Sequence, residues 1–256
     1  MNNLATHIST TNIVNPQHMN PVSSVKDAPL HDFKLTTIAM KNMYSATKTD
    51  VLPYILKHMD TYEINTKTRM AAFLSACFIM SCGFRRKVEN YSFTADRLFK
   101  ECEKVDSIAL ARRLIRNGES EVANYLFSFE NGNGGIDSND GWMYRARSPL
   151  QFRGRNAYAY IHETCGMDCL DNPELLEEDE NSIIAAMIYW QVAGYNEMAD
   201  KLKFSGPTEL QTSLNKSGSK NYRTNTVAMR MKKKLSGDTT MFLDFCNFIE
   251  AGMKYL

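Results

Sequence analysis

Few residues of this 256-residue chain combine type and spacing in a way that could do chemistry. Glu89 is one. It follows the basic run Arg85 to Lys87, and on its surroundings alone a carboxylate beside such a run reads as a solvated surface group. His162, Cys165 and Cys169 form a second cluster, but three ligands fall short of the closed four-ligand site of structural zinc. The six cysteines, at 77, 82, 102, 165, 169 and 246, are scattered. They read as core thiols rather than a disulfide framework or a metal centre. Asn131 to Gly141, NGNGGIDSNDG, is rich in glycine. Its spacing is not that of a phosphate-binding loop, no strand precedes it, and the distal Glu of a calcium loop is missing. Asp137 and Asp140 within it are carboxylates that could approach a cleft. No cofactor and no metal is expected.

The stretch Asn65 to Phe93, NTKTRMAAFLSACFIMSCGFRRKVENYSF, must position Glu89. Its first half is apolar on nearly every side, from Met70 through Met80, which predicts a buried central helix over about 66–82 rather than a surface one. Asn65 or Thr66 can cap its start and Gly83 offers a stop. Helical patterns are also expected over Leu35–Met43 and Lys48–Met59. Another spans Val105–Asn117, with Asp106 or Ser107 as cap and Gly118 as terminator, and a further one Ser120–Phe129. Met241, Phe242, Phe245, Phe248, Ile249 and Met253 fall on one helical stripe near the C-terminus. That stripe can pack on its own domain or meet a partner.

Lys and Arg number 30 against 29 Asp and Glu, so charge gives no case for nucleic acid or an acidic membrane. No apolar run reaches the length of a membrane span, and the N-terminus lacks the basic start and apolar core of a signal peptide. A location in the cytoplasm of the producing cell is the expectation. Residues 1–34, rich in Asn, Thr and Ser with prolines at 16, 21 and 29, read as an extended arm. That arm is either a tail or a docking strap. The domain reading is therefore an arm over 1–34, a main domain over 35–235 and a C-terminal amphipathic helix over 236–256. A protein partner is expected through 1–34 and 239–256.

Several stretches together resemble the family-nineteen glycoside hydrolases, the chitinases and phage-type endolysins. The buried helix resembles that family's AAFLAQ-x-x-H-E-S-G-G-F, and Glu89 to Leu98 its E-N-L-N-Y-S-A-E-R-L. Gly141-Trp142-Met143-Tyr144-Arg145-Ala146-Arg147-Ser148-Pro149-Leu150-Gln151 resembles G-W-x-Y-R-G-R-G-P-I-Q, and Asn196 with Asp200 sits in a stretch like G-x-N-x-x-A-D. Thr208 to Asn215 is similar to I-T-x-x-I-N-G-G. The resemblance covers about 35–235. It implies a mainly helical, two-lobed, lysozyme-like domain with at most a small hairpin beside the cleft.

The resemblance also assigns roles. An inverting glycosidase needs a protonated carboxyl for the leaving oxygen and a second carboxylate to activate water. Aligned on Gly83-Phe84, the family's acid falls on Met80, a thioether with no proton to give. Glu89 matches the base. The small hydroxyl that helps hold the attacking water falls on Arg153. Two family glycines are Ala146 and Ser148, and the Gly after Asn215 is Lys216. His162-Glu163-Thr164 spells an acid motif in the wrong frame, and Glu163 is not taken as a replacement. Glu89 is thus an inherited base without its partner. Trp142, Tyr144, Gln151 and Asn215 are the candidates for holding peptidoglycan or a chitin-like glycan. The favoured expectation is a catalytically degenerate protein with a structural, docking or glycan-binding role, such as a phage component. A slow, inverting β-1,4-glycan hydrolase and a regulatory binder or inhibitor of a hydrolase remain as alternatives.

Overall fold

A computed structural model describes residues 31–202, 226–237 and 241–256. The chain is mainly helical, and its centre is α3 (Lys67–Ser81). Thr66 caps α3 by accepting from the Arg69 N–H at 3.2 Å. Every residue from Met70 to Phe78 is buried, which is where an all-round apolar helix must sit. Ile79 and Met80, at its end, are half-buried. The helix ends at Ser81, one residue short of the expected 82, with Cys82, Gly83 and Phe84 all left-handed at φ 53°, 71° and 63°. Gly83 is required there twice over. A Cβ would also lie 2.7 Å from the Tyr44 ring and 2.9 Å from the Thr47 Cα.

Around α3 pack α1 (Thr37–Met43) and α2 (Leu52–His58), both within the expected stretches. α9 (Asp179–Val192) is the second helix buried on all sides. Phe73 meets Trp190 edge-on at 5.4 Å. The Trp190 indole N–H donates to Asn196 at 2.8 Å, and the Asn196 amide donates to the Tyr62 carbonyl at 2.9 Å. Asn196 thus satisfies two buried partners, while the buried Tyr195 hydroxyl beside Trp190 has no hydrogen-bond partner among the described residues. Asn196 sits in α10 (Tyr195–Asp200).

A second cluster stands apart. It is built from α4 (Ala95–Glu101), α5 (Ile108–Asn117) and α6 (Glu119–Phe127) around Tyr91, Leu98, Leu114 and Phe127. Ser107 caps α5, accepting from Leu110 at 3.2 Å, and Gly118 ends it at φ 106°. A third cluster, under α8 (Arg155–Cys165), uses Tyr144, Phe152, Tyr158 and the Ala185/Ile188 face of α9. Between the second and third runs a short ladder. Val88 bridges Arg147, and Arg147 bridges Phe152. Among the described residues this is the extent of the expected hairpin.

Toward the C-terminus lie α11 (Thr226–Ser236) and α12 (Phe242–Tyr255). The stripe on α12 is spent internally. Phe245, Cys246 and Ile249 are fully buried in the α3 cluster, and Phe248 meets Phe78 edge-on at 5.9 Å. A Cβ on Gly252 would lie 2.6 Å from the Ala71 Cβ, so the two helices touch through their smallest residues. Residues 1–30, 203–225 and 238–240 lie outside the described residues, and with them most of the expected arm and the start of the 239–256 contact. His31 and Lys34 are described. The first bonds the Asn65 carbonyl at 3.2 Å and the second donates to the Leu256 carbonyl at 3.1 Å.

Candidate functional site

The ladder carries Glu89 to its position. The Glu89 N–H donates to the Ala146 carbonyl at 2.8 Å, and Arg147 donates to Phe152 at 3.2 Å. The turn between is tight: Gln151 N–H bonds the Ser148 carbonyl at 3.1 Å, and both residues are left-handed, at φ 53° and 65°. At 148 a buried serine therefore holds a backbone conformation that favours glycine. Ala146 is not among the left-handed positions.

Beneath the ladder, Arg147 is 2% exposed and fully engaged. It donates to Glu177 at 2.9 Å, the Met143 carbonyl at 2.7 Å and the Tyr158 hydroxyl at 2.9 Å. Burial pushes the Tyr158 hydroxyl pKa up, and the neighbouring Arg147 only partly offsets it. Arg145 lies over the Trp142 ring at 4.0 Å. Its pKa falls below its usual value because of burial and the adjacent Arg147 charge.

The carboxylate of Glu89 has both oxygens occupied. Tyr91 donates its hydroxyl to Oε2 at 2.8 Å, and the Arg153 guanidinium donates to Oε1 at 3.3 Å. Tyr91 is buried, and that burial together with the Glu89 charge raises its pKa, so it stays a donor. Arg153 is fixed from three sides. Its guanidinium lies over the Phe127 ring at 4.5 Å, the Asn131 side chain bonds its carbonyl, and Gly154 follows at φ 92°. Burial works against its charge, but Glu89, Tyr91 and Glu130 outweigh that and hold its pKa above the usual value.

The glycine-rich loop is thus a scaffold for Arg153. Asp140, only 8% exposed, accepts from the Gly134 N–H at 2.8 Å and lies 3.7 Å from Arg155, while Asn133 accepts from the Arg155 N–H at 2.9 Å. Asp137 is exposed in a 3-10 turn, Ile136–Ser138. Glu163 is exposed on α8. His162 bonds the Met167 carbonyl at 2.8 Å, and the Cys169 thiol donates to Tyr158 at 3.4 Å.

At the end of α3, Met80 is half-buried, and its carbonyl is taken by the Arg86 guanidinium. Ser81 ties the turn together, donating to Cys77 at 2.6 Å and accepting from Phe84 at 2.8 Å. Gln151 donates to the Ser148 carbonyl at 2.7 Å and the Arg86 carbonyl at 3.3 Å. The structure therefore joins Glu89 with Arg153 directly, and Met80 with Gln151 through Arg86. Of the expected glycan contacts, Trp142 is half-buried with Arg145 on one face. Tyr144 is 2% exposed, its hydroxyl bonded to Leu170 and Arg155, each at 3.1 Å. Asn215 lies outside the described residues. The roles of Tyr91, Phe127 and Arg86 were not read from sequence; for Arg86 the signal was the basic run itself.

Chemically, the arrangement has no described carboxyl to protonate a leaving group at the α3 position. A water approaching Glu89 must compete with Arg153 and Tyr91. No family model matches the chain. It is 29% identical over 125 residues to a Haemophilus influenzae "Glycosyl hydrolase family 19 domain-containing protein", a match covering 49% of this chain and 62% of that one. The match thus spans less than two thirds of the relative's length. Among solved structures, chitinase C from Streptomyces griseus aligns with a TM-score of 0.40 at 15% identity, over 84% of this chain and 79% of that one. A bacterial family 19 chitinase aligns with a TM-score of 0.40 at 13% identity, over 85% and 94%. The sequence match is the informative likeness.

Proposed function

We propose that this chain binds a β-1,4-linked glycan in a hydrolase-like cleft without cutting it. The similarity to a family 19 domain protein supports glycan as the ligand class. One observation carries the loss of turnover: the only carboxylate at an expected catalytic position, Glu89, is ion-paired to Arg153 and hydrogen-bonded by Tyr91. With Met80 in place of the acid, the site lacks the proton donor whose contribution is on the order of 100- to 10,000-fold. Binding is assigned to the cleft rather than to α12, because the apolar stripe of α12 is spent on α3. A docking role for residues 1–34 and a phage-particle setting rest on the sequence reading alone.

Co-sedimentation tests this reading. The purified chain should pellet with insoluble chitin or peptidoglycan and leave the polymer mass unchanged over a long incubation. Failure to pellet with either polymer would contradict it.

A further inference from the structure

The turn after α3 carries two guanidinium groups for which the described residues supply no carboxylate. Arg85 is exposed. Arg86 is half-buried; its guanidinium donates to the Met80 carbonyl, and its Nε–H is buried with no acceptor among the described residues. The neighbouring cations are matched. Lys87 pairs with Asp179 at 2.8 Å, and Arg145 and Arg147 share Glu177 at 3.9 and 2.9 Å. Arg153 pairs with Glu89 at 3.3 Å, with Glu130 also in electrostatic reach.

Arg86 therefore stands out by position as well as by charge. It lies against Met80, where the resemblance expects a carboxylic acid on the protein. Gln151, bonded to its carbonyl at 3.3 Å, connects it to the turn that leads to Arg153. The carbonyls at a helix C-terminus attract a cation, which accounts for the guanidinium edge on Met80. It leaves the Nε–H without an acceptor among the described residues, and an unmet charged donor is costly. A carboxylate presents two oxygens in the fork that a guanidinium matches; a neutral sugar presents none so arranged.

We infer that Arg86 is an anion-recognition residue, and that the cleft takes a glycan that brings its own carboxylate to the end of α3. This rests on the glycan-binding reading above, and it names the ligand chemistry: a β-linked amino-sugar chain bearing acidic groups. The carboxylate can sit on the ring, as in a uronic acid, or on a lactyl ether, as in muramic acid.

Calorimetry on the full chain separates these cases with three tetrasaccharides: N-acetylglucosamine alone, alternating N-acetylglucosamine and glucuronate, and alternating N-acetylglucosamine and N-acetylmuramate. At least one acidic probe should bind about tenfold or more tighter than the neutral one. Arg86→Gln should remove that margin, whereas Arg85→Gln should leave the margin in place. Met80→Glu, which puts a carboxylate on the protein side, should also erase the margin, and it decides the matter if Arg86→Gln does not fold. Equal affinities for neutral and acidic probes, or a margin that survives the decisive variant, would overturn the role of Arg86 while leaving glycan binding standing. No binding to any of the three would contradict both.

Discussion

Arg153 and Glu89 meet at 3.3 Å, so the one carboxylate at an expected catalytic position is held by the residue at the position where the resemblance expects a water-positioning hydroxyl. The two differences from the hydrolase pattern are therefore coupled. Replacing the acid alone should not revive the site. Met80→Glu should stay at background, because Glu89 remains paired. Met80→Glu combined with Arg153→Ser supplies a donor and releases the base. It should raise fragment release by about 100-fold or more over the parent, measured on soluble oligosaccharides. Equal activity in the single and double variants would break the link between Arg153 and the silent base.

The contact of α12 with α3 gives a stability prediction. Gly252→Val drives a branched side chain into Ala71, whose Cβ would lie 2.6 Å from even the first added carbon. Overpacking of this kind costs about 1–3 kcal/mol. Ala71→Gly in the same chain should recover part of that loss in urea unfolding. No recovery would mean that the two helices do not meet there.

Asn196 should be among the costliest polar residues to remove. Asn196→Ala strands the Trp190 indole N–H and the Tyr62 carbonyl, both of which it now satisfies. A loss of about 1–3 kcal/mol is expected from the unmet buried groups, read as a lowered midpoint in denaturant.

Glu250 supplies a pH dependence. Burial raises its carboxyl pKa above the usual value, and its Oε1 is buried without a hydrogen-bond partner among the described residues. A carboxyl with a raised folded pKa favours the fold while protonated. Its contribution is present below the unfolded-state pKa and is lost as pH rises through the folded-state value. Glu250→Gln should therefore stabilise the chain near neutral pH by about 0.5 kcal/mol, a figure kept small because the side chain is partly solvated. The gain should vanish near pH 3.5. Thermal melts at both pH values measure it, and an equal gain at both would assign the effect to packing.

The sequence carried much of the scaffold because the scaffold is local. The apolar run from Met70 with Thr66 before it specifies α3, and Ser107 with Gly118 brackets α5. The α12 stripe announced a buried face but not what buries it; only Gly252 hints at a close neighbour. The site was less readable. Glu89 and Arg153 are 64 positions apart, joined by a bridge from Val88 to Arg147 and a staple from Asn131. No periodicity encodes such a contact. Nor does the type of Ser148 reveal its left-handed backbone, which the ladder around it imposes. Arg86 was visible as charge, but the missing acceptor at its Nε is a property of packing.

The most direct test of a silent, glycan-binding cleft is mass spectrometry of soluble fragments from purified peptidoglycan and chitin oligomers. The chain would be used at high concentration and long incubation, beside Glu89→Ala. The parent should release no more than that variant. Release that is clear in the parent and absent in Glu89→Ala would contradict the account and establish Glu89 as a working base.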